Sequence, residues 1–315
     1  MAPASPTRRA VIDVGTNSVK LLVADVSGRC VNPLLERSHQ TRLGAGFYET
    51  HLLQRAAIEK TAETVANFAR EAARWLPQSV RVIATSAARD AKNQAELRMA
   101  IEQAAGLIVE IISGEQEADW VFAGVTSDPK LGSQPLVIMD VGGGSAEFIL
   151  SNGLELIFRQ SFPLGTVRLL ERIRPSDPPL EGEWSKCKTQ LQDFLNDRIR
   201  PRLEEPLRRC AGRHVQLVAT GGSASILAAM QLELTAFDRN LMEALQLTFE
   251  QVRQRQRHLW SLPLAQRKTL VGLPPNRADV ILMGVAIFAE VMEQFEFPNL
   301  RISTRGLRFA AIMDP

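Results

Sequence analysis

One short pattern constrains this chain more than any other. An apolar run ends in Asp13-Val14-Gly15, and a second apolar run ends in Asp140-Val141-Gly142. In each copy a small polar turn follows, Thr16-Asn17-Ser18 or Gly143-Gly144-Ser145, and then another apolar run begins. Apolar run, glycine turn and apolar run read as a β-hairpin, so the chain contains two matching hairpins.

The elements after each hairpin strengthen the repeat. The first is followed by a strand around Cys30 to His39 and by a helix from about Leu52 to Leu76, where Ile58, Ala62, Val65, Phe68, Ala69 and Ala72 recur at helical spacing. Next come a strand at Val80–Thr85, a helix from about Asn93 to Ala105, a strand at Ile108–Ile112 and a further helix. The second half repeats this order with a strand at Leu156–Ser161, helix signals from about Glu183 to Arg209, a strand at Val215–Thr220, a helical stretch to about Gln294 and a strand at Leu300–Ser303. Both middle strands end in Ala-Thr, at Ala84-Thr85 and Ala219-Thr220. The stretch from Thr220 to Ser303 is much longer than that from Thr85 to Ser113, so the second copy carries a helical insertion. This is a duplicated α/β plan of the ribonuclease-H-like, actin-like ATPase superfamily type, with a cleft expected where the two sets of turns point. The expected domains are 1–126, joined by a C-terminal helix at about 305–315, and 127–304 with the insertion.

Composition narrows the function. The 315 residues are 45% hydrophobic and 23% charged, which suits two globular domains and not a disordered or fibrous chain. Thirty-seven basic residues against 35 acidic ones leave no global field for DNA or a membrane surface. No apolar run reaches the roughly 20 residues of a membrane span. The N-terminus reads as a frayed tail without a signal-peptide core, and three scattered cysteines form neither a disulfide framework nor a zinc pattern, so a cytoplasmic location is expected. The insertion offers either a cover for the second core or a homodimer surface; covering the core is the expectation.

Three turns carry phosphate-type chemistry. Gly15-Thr16-Asn17-Ser18 and Gly142-Gly143-Gly144-Ser145 each follow a strand ending in an acid, and Gly221-Gly222-Ser223 lies between a strand and a helix. Glycine lets a backbone approach an anion closely, and successive N–H groups form a concave donor set. None fits a Walker loop or a dinucleotide fingerprint. Asp13 and Asp140 sit beside these turns, with Glu147 across the second hairpin, and hard oxygen ligands of this kind suit Mg²⁺. Taken alone, Glu115 and Glu117 read as acids at a helix N-terminus, and Arg89, Arg305 and Arg308 as arginines at strand ends.

Together, Asp13-Val-Gly-Thr-Asn-Ser18, Ala84-Thr-Ser-Ala-Ala-Arg89, Ser113-Gly-Glu-Gln-Glu117-Ala, Asp140-Val-Gly-Gly-Gly-Ser145-Ala-Glu147, Pro163-Leu-Gly-Thr-Val-Arg168-Leu and Thr220-Gly-Gly-Ser223 resemble the exopolyphosphatase / guanosine pentaphosphate phosphohydrolase (Ppx/GppA) family from Val11 to about Ala311. The resemblance implies Mg²⁺-dependent hydrolysis of terminal phosphoanhydrides. It assigns Glu117 to activating water, with Glu147 as the second catalytic acid. Asp140 and Glu147 match the acids of the metal and water site, and Asp13, which opens the first phosphate loop, is the third expected metal ligand. Arg89, Gly15–Ser18, Gly142–Ser145 and Gly221–Ser223 match phosphate-binding positions. The chain departs from the family pattern at Gln116, at Asp119-Trp120 and at Phe309-Ala310; longer members add a helical domain after the second unit, and a two-domain form is the expectation here. The expected reaction is release of terminal orthophosphate from inorganic polyphosphate. Conversion of guanosine pentaphosphate, a kinase of the same superfamily and a non-catalytic alarmone or polyphosphate sensor are the alternatives.

Overall fold

The computed structural model describes residues 5–210, 214–243 and 245–314. The frayed tail expected at the extreme N-terminus falls on residues 1–4, outside them; β1 already starts at Thr7. The chain divides into two compact units, Met1–Ser127 with Arg305–Pro315, and Asp128–Thr304.

In the first unit, β1 (Thr7–Val14), β2 (Ser18–Ser27) and β3 (Cys30–Gln40) form an antiparallel meander. After α1 (Phe47–Thr50) and α2 (Arg55–Ala73), β4 (Ser79–Ala84) pairs parallel to β1. Then come α3 (Ser86–Asp90), α4 (Gln94–Ala105), β5 (Val109–Ile111) and α5 (Gly114–Val125). The sheet order is β3-β2-β1-β4-β5. Continuous apolar runs in β1 and β2 suit strands covered on both faces, whereas α2 buries a single stripe that includes Ile58, Ala62, Val65, Phe68 and Ala72.

The second unit repeats the plan. Here β6 (Pro135–Val141), β7 (Ala146–Asn152) and β8 (Glu155–Phe162) form the meander, followed by α6 (Thr166–Ile173) and α7 (Glu181–Phe194). A π-helical turn at Leu195–Ile199 links α7 to α8 (Arg200–Arg209), dividing what the sequence reads as one helix. Pro201 has no N–H to give its preceding turn, which explains the local widening. β9 (Gln216–Thr220) and α9 (Gly221–Gln231) complete the shared part.

The insertion adds α10 (Arg239–Glu243), β10 (Gln246–Thr248), α11 (Phe249–Ser261), α12 (Leu264–Arg267) and α13 (Ile281–Gln294) before β11 (Asn299–Ile302). Its strand β10 is too short to announce itself in sequence and extends the sheet to β10-β11-β9-β6-β7-β8. Without β10, the strand order matches the first unit, which is the duplicated ribonuclease-H-like, actin-like architecture. The insertion covers its own unit's core: Val252, Leu259 and Trp260 of α11 pack in one cluster with the fully buried length of α13.

At Arg305 the chain returns to the first unit, where α14 (Leu307–Met313) packs against α5 and β1. Arg305 and Arg308, read from the sequence as strand-end arginines, follow β11 and belong to this returning segment. Arg308 donates to Leu21 O (3.0 Å) and pairs with Glu36 (3.3 Å), and Arg305 donates to Ser127 Oγ (3.3 Å). Arg9 caps the last carbonyls of α14, at Ile312 O and Met313 O. A side chain on Gly124 would collide with Gly306 O, which is how closely the returning chain crosses α5. No described helix is long and apolar enough to cross a membrane.

Within the second unit a buried charge is held by partners from two helices. Glu290 on α13 has no exposed surface; Arg253 of α11 donates to it at 2.9 Å and Gln192 of α7 at 3.1 Å. Burial pushes the Glu290 carboxyl above its ordinary range, with Lys188 and Arg253 pulling it back. Removing one partner of such a pair typically costs about 3–5 kcal/mol. Arg253→Ala should therefore lower the melting temperature by roughly 10 °C, and Arg253→Met with Glu290→Leu should recover most of the loss. A single variant that melts with the native chain would contradict this.

Candidate active site

In the first unit, the β1–β2 turn is closed by Gly15 N–H donating to Ser18 O at 3.0 Å. A side chain on Gly15 would press on that same oxygen at 3.1 Å. The loop after β3 braces the turn, with Gly44 N–H donating to Thr16 O (2.8 Å) and Arg42 N–H to Asn17 O (3.0 Å). C=O and N–H of one peptide unit point in opposite directions. These two carbonyls therefore turn the N–H groups of Asn17 and Ser18 to the other side. Thr16 Oγ1 accepts from Ala87 N–H of α3 at 3.3 Å, and Asn17 Oδ1 accepts from Gln40 Nε2 at 3.0 Å.

Buried polar atoms without hydrogen-bond partners gather around this turn: Asp13 Oδ1, Asn17 Nδ2, Thr41 Oγ1 and Ser86 Oγ. Each such atom costs roughly 1–3 kcal/mol, and a group of them, one acceptor and three donors, is the signature of a site that expects a ligand. Ser86 lies inside the Ala84–Arg89 motif, whereas Thr41 carries no sequence signal.

Arg89, on α3, donates to Glu117 Oε2 at 2.8 Å and to Ile112 O at 3.2 Å. Glu117 occupies the first turn of α5, whose N-cap Ser113 accepts from Gln116 N–H at 3.1 Å, and it is only 7% exposed. Two residues that the sequence treats separately thus form one partly buried ion pair.

The second unit builds the same turn with different bracing. Gly142 N–H donates to Ser145 O at 3.0 Å, matching Gly15 and Ser18. The start of α6 takes the turn carbonyls: Thr166 N–H donates to Gly142 O (2.9 Å), Val167 N–H to Gly143 O (2.8 Å), and Arg168 Nε to Gly144 O (2.8 Å). By peptide geometry the N–H groups of Gly143, Gly144 and Ser145 then point away from α6, as a concave donor row. Gly165 allows this contact, since any side chain there would collide with Gly143.

Asp140, Glu147 and Ser161 stand opposite one another on β6, β7 and β8, so their side chains share one face of the sheet. Glu147 is buried and accepts from Ser161 Oγ at 2.7 Å, a partner not evident in sequence. The third turn is the first turn of α9 itself. Gly221 has φ +89°, and a side chain there would run into Asp140 Oδ1, which places this glycine against the acid. Ser223 Oγ lies at the crossing of α9 with α13, where a side chain on Gly284 would approach it to 2.7 Å.

In each unit taken by itself, the carboxylates suit a hard cation that keeps much of its water. Among the described residues no three His, Cys, Asp or Glu side chains converge into a closed metal cluster. Asp13 nevertheless presents a buried oxygen without a partner, and Asp140 and Glu147 share a face beside the second turn. Single carboxylates combined with water and phosphate oxygens are how Mg²⁺ is usually held.

Comparison with known proteins agrees with this geometry. Residues 22–314 match the model of the Ppx/GppA phosphatase family. The chain is 30% identical over 297 residues to exopolyphosphatase 2 of Mycobacterium tuberculosis, covering 91% of each chain. The crystal structure of the Aquifex aeolicus Ppx/GppA phosphatase superposes with a TM-score of 0.73 at 28% identity, covering 98% of both chains. An exopolyphosphatase from Cytophaga hutchinsonii gives 0.85 at 25% identity, covering 96% of both. The chain belongs to the Ppx/GppA phosphatase family. It is an exopolyphosphatase-like hydrolase acting on phosphoanhydride bonds.

Asp13 carries a measurable cost. Burial pushes its carboxyl above the ordinary carboxylate range, and Lys20 and Arg308 pull it back only in part. Its contribution to stability is present below the unfolded value of about pH 4 and is lost as pH rises through the raised folded value, so the ionised group opposes folding at neutral pH. Asp13→Asn should melt higher than the native chain at pH 7.5 with chelator present, and the gap should close near pH 4. A variant that melts at or below the native chain at neutral pH would refute this.

Proposed function

We propose that the chain is a Mg²⁺-dependent exopolyphosphatase that releases terminal orthophosphate from inorganic polyphosphate by water attack. The observation that supports this most is the repetition of one device: each unit presents outward N–H groups beside an acid, at Asn17-Ser18 with Asp13 and at Gly143–Ser145 with Asp140. A polymer of identical phosphates matches repeated phosphate receptors and needs no pocket for a base. The relationship to exopolyphosphatase 2 points the same way.

In the first unit Asp13, and in the second Asp140 with Glu147, would hold Mg²⁺, whose chemistry when bound is to offset charge on phosphate oxygens. The turn N–H groups bind and orient the phosphates. Glu117 accepts a proton from water as the water oxygen bonds to the terminal phosphorus. The bridging P–O bond breaks, and its electron pair leaves with the shortened chain. Arg89 holds Glu117 in place through the 2.8 Å contact and carries positive charge to the same point. Ser161 fixes the Glu147 carboxylate from the neighbouring strand.

A general base contributes about 10²–10⁴-fold to such a step. Glu117→Gln should lower orthophosphate release from long polyphosphate by that factor while melting close to the native chain. An undiminished rate would remove Glu117 from the role.

A further inference from the structure

The two phosphate-type turns differ at one position. The closing bonds, Gly15 N–H to Ser18 O in the first unit and Gly142 N–H to Ser145 O in the second, set Asn17 in the place of Gly144. At both places the backbone carbonyl is tied back, Asn17 O by Arg42 N–H (3.0 Å) and Gly144 O by Arg168 Nε (2.8 Å). The first turn alone carries a side chain there.

That side chain is held by one end. Gln40, the last residue of β3, stands opposite Ser18 in the sheet, and its Nε2 donates to Asn17 Oδ1 at 3.0 Å. Both amides belong to buried residues. The short stretch from Gln40 to Arg42 therefore takes both oxygens of Asn17, the side-chain one through Gln40 and the main-chain one through Arg42. A planar carboxamide sets its oxygen and nitrogen in different directions, so Nδ2 lies away from Gln40. It is buried without a hydrogen-bond partner. Such a donor costs folding free energy that a bound anion would recover.

Two amides joined in this way have two settings. With Gln40 donating, Asn17 offers N–H groups to a ligand. With Gln40 accepting, the Asn17 amide reverses and offers an oxygen, which repels phosphate. The first setting is the one in the structure.

We propose that Gln40 is a positioning residue for anion binding: it fixes the Asn17 carboxamide so that Nδ2 donates to a phosphate oxygen, a side-chain contact that Gly144 cannot supply in the second turn. This deepens the reading of the turns as phosphate receptors and rests on it.

The test titrates the purified full chain, with Mg²⁺, with imidotriphosphate, a tripolyphosphate analogue whose bridging nitrogens resist hydrolysis. Binding is followed by calorimetry and by ¹⁵N NMR. The Asn17 side-chain N–H resonances, assigned by their loss in Asn17→Ala, should shift as the native chain binds. Gln40→Glu, whose ionised carboxylate can only accept, should lose that shift and bind about tenfold more weakly, the scale of a lost hydrogen bond to a charged group. Gln40→Met removes the donor without adding charge. It should weaken binding in the native background and make no further difference in Asn17→Ala, whereas a merely structural role would persist there. Unmoved Asn17 resonances in the native chain, or native affinity in both Gln40 variants, would overturn the assignment. Orthophosphate release from polyphosphate separates the two claims. If release is absent while the Asn17 resonances shift and Gln40→Glu binds weakly, the exopolyphosphatase reading falls alone; if release is present and both variants bind as the native chain does, the role of Gln40 falls alone.

Discussion

The architecture of the phosphate-type turn in each unit depends on where a few carbonyl groups go. A hairpin turn exposes C=O and N–H alike, and a phosphate is repelled by the first and bound by the second. In the second unit the start of α6 removes the carbonyls of Gly142, Gly143 and Gly144 by hydrogen-bonding them from behind. In the first unit the Arg42–Gly44 loop does the same for Thr16 and Asn17. Two unrelated braces reach one result, which is evidence that the orientation of the turn, rather than its sequence, is what the fold maintains. The glycines follow from this. Gly165 and Gly44 admit the braces, and Gly221 admits the Asp140 carboxylate.

The price is paid in buried polar groups. Asp13 is ionisable and enclosed, and Asn17, Thr41 and Ser86 have side-chain atoms with no partner in the folded chain. A sequence selected only for stability would replace them. The contrasting case is Glu290, equally buried but satisfied by Arg253 and Gln192, where charge serves to hold helices in register. Comparing the two shows how burial can be read: a buried acid with partners belongs to the scaffold, and a buried acid with an oxygen lacking one belongs to a site.

Much of this was legible in the sequence because strands covered on both faces and turns rich in glycine are local signals. The duplicated order of elements, the acids at strand ends and the position of the insertion all follow from short windows. What was not legible joins distant residues. The Arg89–Glu117 pair, Ser161 against Glu147 and Thr41 beside the first turn depend on how strands register and where loops close. β10 was hidden for another reason: three residues are too few for any period to show.

The central claim is that water, and no other nucleophile, attacks the terminal phosphorus of a polyphosphate. Running the reaction in ¹⁸O-labelled water and analysing both products by mass spectrometry tests it directly. The account predicts one solvent oxygen in each released orthophosphate, with none in the shortened chain. Label in the shortened chain, or release of internal fragments in place of orthophosphate, would contradict it.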